Sequence, residues 1–154
     1  MLRRATVQDA PAIYRVHMAS IRGLAGRSYS ANQVEAWCAG RSPHSYHAPI
    51  QDQIVLVSEE SEEVAGFAQL APEEALVVAV YVGPRHVRKG IGRSLLRALE
   101  AHALELGIPE LRLQASLNAV SFYTAAGYAR GALTHHSVAG GVSLPCIAMA
   151  RTLR

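Results

Sequence analysis

Apolar residues recur along this chain with two periods, and each change of period marks a new element. Val77, Val78, Ala79, Val80, Tyr81 and Val82 form an apolar, β-branched run of strand length. Gly83-Pro84 stops it, because proline has no donor and fixes its own φ. A basic turn with two glycines follows. Ile91, Leu95, Leu99 and Ala103 then recur every fourth residue, as an amphipathic helix requires, until Gly107-Ile108-Pro109 ends it. Upstream, Leu2 to Val7 alternates as a short strand. Ile13, Val16, His17 and Ser20 give helical spacing over Ala10 to Ile21, with Gly23 and Gly26 as breakers. Ser30-Ala31-Asn32-Gln33 is a capping box that opens a second helix over Ala31 to Ala39, its inner face carrying Val34, Trp37 and Cys38. Residues 40–51, with Pro43 and Pro49, read as a loop.

Ile54–Val57 and Val64–Leu70 pair as a hairpin around a charged turn, with Gly66 a weak point in the second strand. Pro72-Glu73-Glu74 makes the next turn. Leu111, Leu113 and Ala115 alternate with Arg112, Gln114 and Ser116 as a strand buried on one face. Asn118 to Ala126 is a short helix closed by Gly127, and Tyr128–Leu133 and Val142–Ala150 are the last strands. The order β-α-α-β-β-β-α-β-α-β-β predicts an α/β (α+β) fold with one mixed sheet and helices on both faces.

Length and composition exclude several classes. The 154 residues show no repeat or linker, which predicts a single domain over 1–154. Half of the residues are apolar and 18% are charged, so a disordered chain is excluded. No apolar run approaches the roughly 20 residues that span a bilayer, and MLRRATVQDA has no signal core. A cytoplasmic protein without membrane partners is expected. Cys38 and Cys146 lie far apart and read by default as reduced thiols, with a disulfide between them as the alternative. His44 and His47 have no third ligand nearby, so no metal is expected. A net charge of +3 suits an anionic ligand but is too small for a nucleic-acid surface.

The turn between residues 83 and 92 carries the candidate chemistry. A strand, a glycine turn and a helix N-terminus bring free amides and the positive end of a helix dipole together, which makes an anion site. Arg85, Arg88, Lys89 and Arg93 suit a polyphosphate. The spacing is not that of a Walker loop, and Gly90-Ile91-Gly92 lacks the third glycine of a dinucleotide fingerprint. The segment Val87-Arg88-Lys89-Gly90-Ile91-Gly92 resembles the coenzyme A loop [QR]-x-x-G-x-[GA] of the GCN5-related N-acetyltransferase (GNAT) superfamily, with valine in the first position. LRLQASLNAVSFYTAAGYAR, Leu111 to Arg130, resembles the family's fifth strand and following helix.

The resemblance implies a mostly antiparallel central sheet, splayed at the cofactor-binding strand pair. It also implies acetyl-CoA as cofactor and direct transfer to a primary amine of a small molecule or protein. The amides of Val87, Arg88, Lys89, Gly90, Ile91 and Gly92, with Arg93 and Ser94, would hold the pyrophosphate. Val80 and Val82 would pair with the pantetheine arm, and an amide near Tyr81 or Val82 would face the thioester oxygen. Tyr123 stands where the family places its acid for the leaving thiolate; as a phenol of pKa about 10 it can donate to a thiol of roughly 8.5. Its other reading is core packing beside Phe122. Asn118 either touches the cofactor or caps the short helix, and Glu74, two residues before Leu76, is either the general base or a solvated turn charge. Ser20, Tyr29, Trp37 and His135 are the acceptor-pocket candidates. A homodimer through the last strands is a further implication. Two rivals remain: a non-catalytic acyl-CoA-binding module that senses the cofactor, and an unrelated nucleotide-binding domain.

Overall fold

The computed structural model describes all 154 residues. The strands are β1 (Leu2–Arg4), β2 (Ile54–Glu60), β3 (Glu63–Ala71), β4 (Leu76–Val82), β5 (Glu110–Ser116), β6 (Ala129–Ser137) and β7 (Ser143–Thr152). The helices are α1 (Ala10–Leu24), α2 (Ala31–Cys38), α3 (His47–Asp52), α4 (Ile91–Glu105) and α5 (Val120–Ala125). One seven-stranded sheet runs in the order β1-β2-β3-β4-β5-β7-β6, and every pairing in it is antiparallel except β4 with β5.

Strand β2 shows why the sheet is covered on both faces. Ile54 and Leu56 pack toward Leu95, Leu96 and Leu99 of α4, whereas Val55 and Val57 pack toward Ala10, Ile13 and Val16 of α1. An unbroken apolar run is what such a strand requires. The three α4 leucines are fully buried, each contributing about 2 kcal/mol of transfer free energy. Glu100 on the same helix is also buried. It holds Arg97 and Arg151 at 2.8 Å each and accepts from the Tyr128 hydroxyl at 2.9 Å, tying α4 to β7. No helix is long and apolar enough to cross a membrane.

Local chemistry moves several boundaries from their expected places. The first strand stops at Arg4 because the Asp9 carboxylate folds the chain back. It accepts from the Thr6 amide at 2.7 Å and from both terminal nitrogens of Arg3 at 2.8 Å. Gly23 does not break α1. A Cβ there would stand 2.8 Å from Pro84, so glycine lets the last turn of α1 approach the loop after β4. The 40–51 segment is not a plain loop: it holds a 3₁₀ turn (Pro43–Tyr46) and α3. Both prolines fall in first turns, where the missing amide has no intrahelical partner anyway. Residues 117–119 form a 3₁₀ turn, so α5 begins only at Val120.

The decisive feature for function is the junction of β4 and β5. Their ladder registers only Leu76 opposite Arg112, after which the strands part. In the β3–β4 ladder Gln69 faces Ala79 but Leu70 faces Val77, which leaves Val78 as an extra, bulged residue next to the parting point.

Candidate active site

The loop from β4 to α4 is built to present amides. Arg88 and Gly90 both lie in the left-handed region, at φ 65° and 78°. Gly90 is the N-cap of α4, and no side chain caps that helix. The first main-chain bond of the helix is Ser94 N–H to Gly90 O, and the backbone amides of residues 87 to 93 donate to nothing in the chain. Exposed or not, such a run of orphan donors at a helix N-terminus is an anion cradle. Gly92 serves packing: a Cβ there would meet the Phe122 ring at 3.2 Å.

Side chains around the cradle divide into two groups. Val87, Arg88 and Arg93 line a cleft of about 490 Å³ between β4, β5 and α5, whereas Lys89 and Ser94 lie outside it. Arg85 also lies outside, paired with Glu63 on the β2–β3 turn. Gly90, Ile91 and Gly92 form the cleft's floor at the helix end.

The opposite wall is the free side of β4. Gly83 N–H donates to Ala65 O at 2.8 Å, so by alternation the main-chain groups of Val80 and Val82 point away from β3, into the opening. Tyr123 on α5 lines the same cleft, with its ring edge-on to Phe122 and Tyr128. Its hydroxyl makes no hydrogen bond in the chain, while burial, and then the nearby Tyr81 phenol, push its pKa well above the usual value. Asn118 lines the cleft mouth and caps neither the 3₁₀ turn nor α5.

A second cleft, of about 480 Å³, opens on the other side of the bulge. The two share Val77, Val78, Ala79, Tyr81, Gln114, Ser116 and Trp37, so they meet where β4 and β5 part. Trp37 stands at that junction, and Ser20 lines the first cleft only. Tyr29 lines the second, but its hydroxyl is fully engaged: it donates to Pro145 O at 2.6 Å and accepts from Leu117 N–H at 2.9 Å. His136 lines the second cleft rather than His135. A bulge between Arg130 and Leu133 shifts the β6 register by one, which exchanges the faces of all later residues. Glu74 lies outside both clefts. It is exposed in a 3₁₀ turn that Ala75, at φ 52°, bends away from the strand.

No aspartate or glutamate lines either cleft. The groups that sequence reasoning missed are nitrogen bases and cations. Arg41 reaches the second cleft from the turn after α2. His17 on α1 is 4% exposed, its Nδ1 is 2.8 Å from the Tyr46 hydroxyl, and its Nε2 has no partner. Helical spacing marked His17 only as a core position, and nothing local to Arg41 distinguished it from a solvated loop charge.

Burial, and then the Arg41 charge, lower the His17 pKa to about 3. The folded state keeps His17 neutral, the unfolded chain takes up a proton below about pH 6.5, and stability is therefore lost as pH falls from 6.5 toward 3. Replacing His17 by Gln is expected to flatten this acid limb by on the order of 3 kcal/mol between pH 7 and pH 4. Urea unfolding of both proteins at the two pH values checks it, and equal losses in the two would rule it out.

The comparisons with known proteins agree with this geometry. A family model described as an acetyltransferase (GNAT) domain matches residues 26–144. No curated protein sequence matches. A GCN5-related N-acetyltransferase from Rhodopseudomonas palustris superposes with a TM-score of 0.93 at 30% identity, covering 99% of this chain and 95% of that one. The PaiA N-acetyltransferase from Thermoplasma acidophilum, in complex with coenzyme A, gives 0.79 at 22% identity over 99% and 98%. A GNAT superfamily phosphinothricin acetyltransferase from Sinorhizobium meliloti, in complex with acetyl-CoA, gives 0.75 at 21% identity over 99% and 88%. At these last two identities the likeness is one of fold.

Proposed function

Because the chain belongs to the GNAT acetyltransferase family, we propose that it is an acetyl-CoA-dependent N-acetyltransferase, residues 1–154 acting as one domain that transfers acetyl directly to a primary amine. The observation that carries this reading is the run of unpaired amides at residues 87 to 93, opening onto the cleft that Val80, Val82 and Tyr123 line. The fit is chemical. Amides in a left-handed turn, with Arg88 and Arg93 beside them, receive a pyrophosphate. The free main-chain groups of Val80 and Val82 receive an extended arm of amides as an added strand would be received. Bound acetyl-CoA supplies a thioester whose carbonyl carbon accepts the amine and whose sulfur departs.

The chain's own groups then have distinct tasks. Val77 to Tyr81, around the bulge, separate the two clefts and hold the acceptor amine on the far side from the cofactor cleft. Tyr123 donates a hydrogen bond to the departing sulfur. Its raised pKa keeps it protonated, and for the same reason it stabilises a thiolate by donation rather than by giving up its proton. With no carboxylate in either cleft, the amine loses its first proton to water or to a cleft histidine such as His136, and the second goes to the departing thiolate.

Isothermal titration with acetyl-CoA, coenzyme A and ATP in parallel tests the cofactor half. Micromolar binding of both coenzyme A species, and none of ATP, is the expected result. Thiol release on adding amines then tests transfer, because a cofactor-sensing module would bind without turnover. Tighter binding of ATP than of coenzyme A would overturn the whole assignment.

A further inference from the structure

The acceptor cleft has an electrostatic character that the transfer chemistry alone does not require. Five other arginines are paired with carboxylates: Arg3 with Asp9 and Glu59, Arg22 with Glu35, Arg85 with Glu63, and Arg97 and Arg151 with Glu100. Arg41 is not. Half-buried in the wall of the second cleft, it uses Nε on the Trp37 carbonyl at 3.4 Å, its guanidinium lies beside the Tyr46 hydroxyl, and it meets no carboxylate in the chain. Arg88 and Arg93, also unpaired, line the cofactor cleft, where a pyrophosphate accounts for them. No comparable anion on the cofactor accounts for a cation across the bulge.

We propose that the acceptor is a small amine carrying a carboxylate, and that Arg41 holds that carboxylate in the second cleft. The proposal rests on the acetyl-transfer reading above and specifies its acceptor. A guanidinium presents its terminal N–H groups as a planar fork that fits a carboxylate with two parallel hydrogen bonds. The remaining polar groups around it are compatible. Gln114, Ser116 and His136 face the cleft, and the buried His17 and Tyr46 line it too, hydrogen-bonded to each other as neutral groups. Cationic acceptors such as diamines find no carboxylate there and meet a fixed positive charge.

Arg41 also bears on the missing base. A carboxylate on the acceptor raises the pKa of its own ammonium, and pairing the carboxylate with a guanidinium cancels that effect. The positive field of Arg41 already acts this way on the chain's own groups, lowering the proton affinity of His17 and opposing the burial that raises the Tyr46 pKa to about 12. A bound acceptor in the same field sheds its proton more readily and becomes a nucleophile without an enzymic carboxylate. Atoms balance: the nitrogen–carbon bond forms, the carbon–sulfur bond breaks, and of the two protons the ammonium loses on becoming an amide, one leaves to water before attack and the other goes to the released thiolate.

Matched pairs of ligands test this. Protein saturated with coenzyme A is titrated with an N-acetylated amino acid and with the same compound as its methylamide, in the wild type and in Arg41→Met. The carboxylate form is expected to bind at least about tenfold more tightly, and to lose that preference in Arg41→Met while coenzyme A affinity stays unchanged. Arg41→Lys should recover part of it. Equal binding of the two ligands, binding of neither, or a preference that survives in Arg41→Met would overturn the proposal. Thiol release with amino acids, their amides and diamines is the second arm. Faster turnover of amides or diamines than of free amino acids would overturn the acceptor class but leave acetyl transfer standing. Turnover of no amine would count against acetyl transfer itself, and the binding arm would still decide the role of Arg41.

Discussion

Gly90→Glu is expected to lower coenzyme A affinity by at least about 100-fold, roughly 2.7 kcal/mol. Two effects act together. The new carboxylate projects from the N-cap of α4 into the cradle of free amides at residues 87 to 93, where it competes with the pyrophosphate for the same donors and repels it. The residue must also hold φ near 78°, which costs a non-glycine residue about 1 kcal/mol. Nothing lies within 4 Å of a Cβ at this position, so the fold itself tolerates the change. Gly90→Ala separates the two effects, since it carries the backbone strain without the charge and should lose only a few-fold in affinity. Isothermal titration of both variants is the measurement, and a Gly90→Glu affinity within a few-fold of wild type would move the pyrophosphate site elsewhere.

Tyr123→Phe is expected to reduce kcat by roughly 10- to 150-fold, the range given by losing one hydrogen bond to a charged group at about 1.5–3 kcal/mol. Cofactor affinity and thermal stability should hardly change, because the hydroxyl has no partner in the chain while the ring keeps its edge-on contacts to Phe122 and Tyr128. That separation makes the variant informative. A general structural role would move stability and turnover together, and full retention of kcat would show that the departing sulfur takes its hydrogen bond from another source. If Tyr123 acts by donation only, a series of acceptors with different amine pKa values should show the same fractional loss in the variant.

Much of this was legible in local sequence because the relevant physics is local. Val87 to Gly92 and Leu111 to Arg130 each combine a turn, a cap and a helix start whose geometry depends on residues a few positions away. The central strand, the capping box at Ser30 and the end of α4 at Gly107 belong to the same class. The acceptor side was less legible because distant segments meet there. Arg41, His17, Gln114 and His136 lie on separate elements, and no spacing rule joins them. A single bulged residue in β6 turned His135 outward and His136 inward, and one left-handed residue, Ala75, took Glu74 away from the strand face that simple alternation assigned to it. Pro43 and Pro49 misled differently: proline stops a helix only when it falls beyond the first turn.

The parting of β4 from β5 places an unpaired strand side in the middle of the sheet instead of at its margin. Unpaired strand sides invite other chains, and proteins ordinarily blunt them with charges, prolines or covering loops. Here the protection is geometric. The gap is a wedge shut at Leu76 and Arg112, and residues of α5 and of the loop before α4 line its open part, which narrows the approach for a whole foreign strand. A thin, flexible chain of amides is the occupant that the proposed function assigns to it. On that reading the opening is a filter on the width of what the strand side accepts.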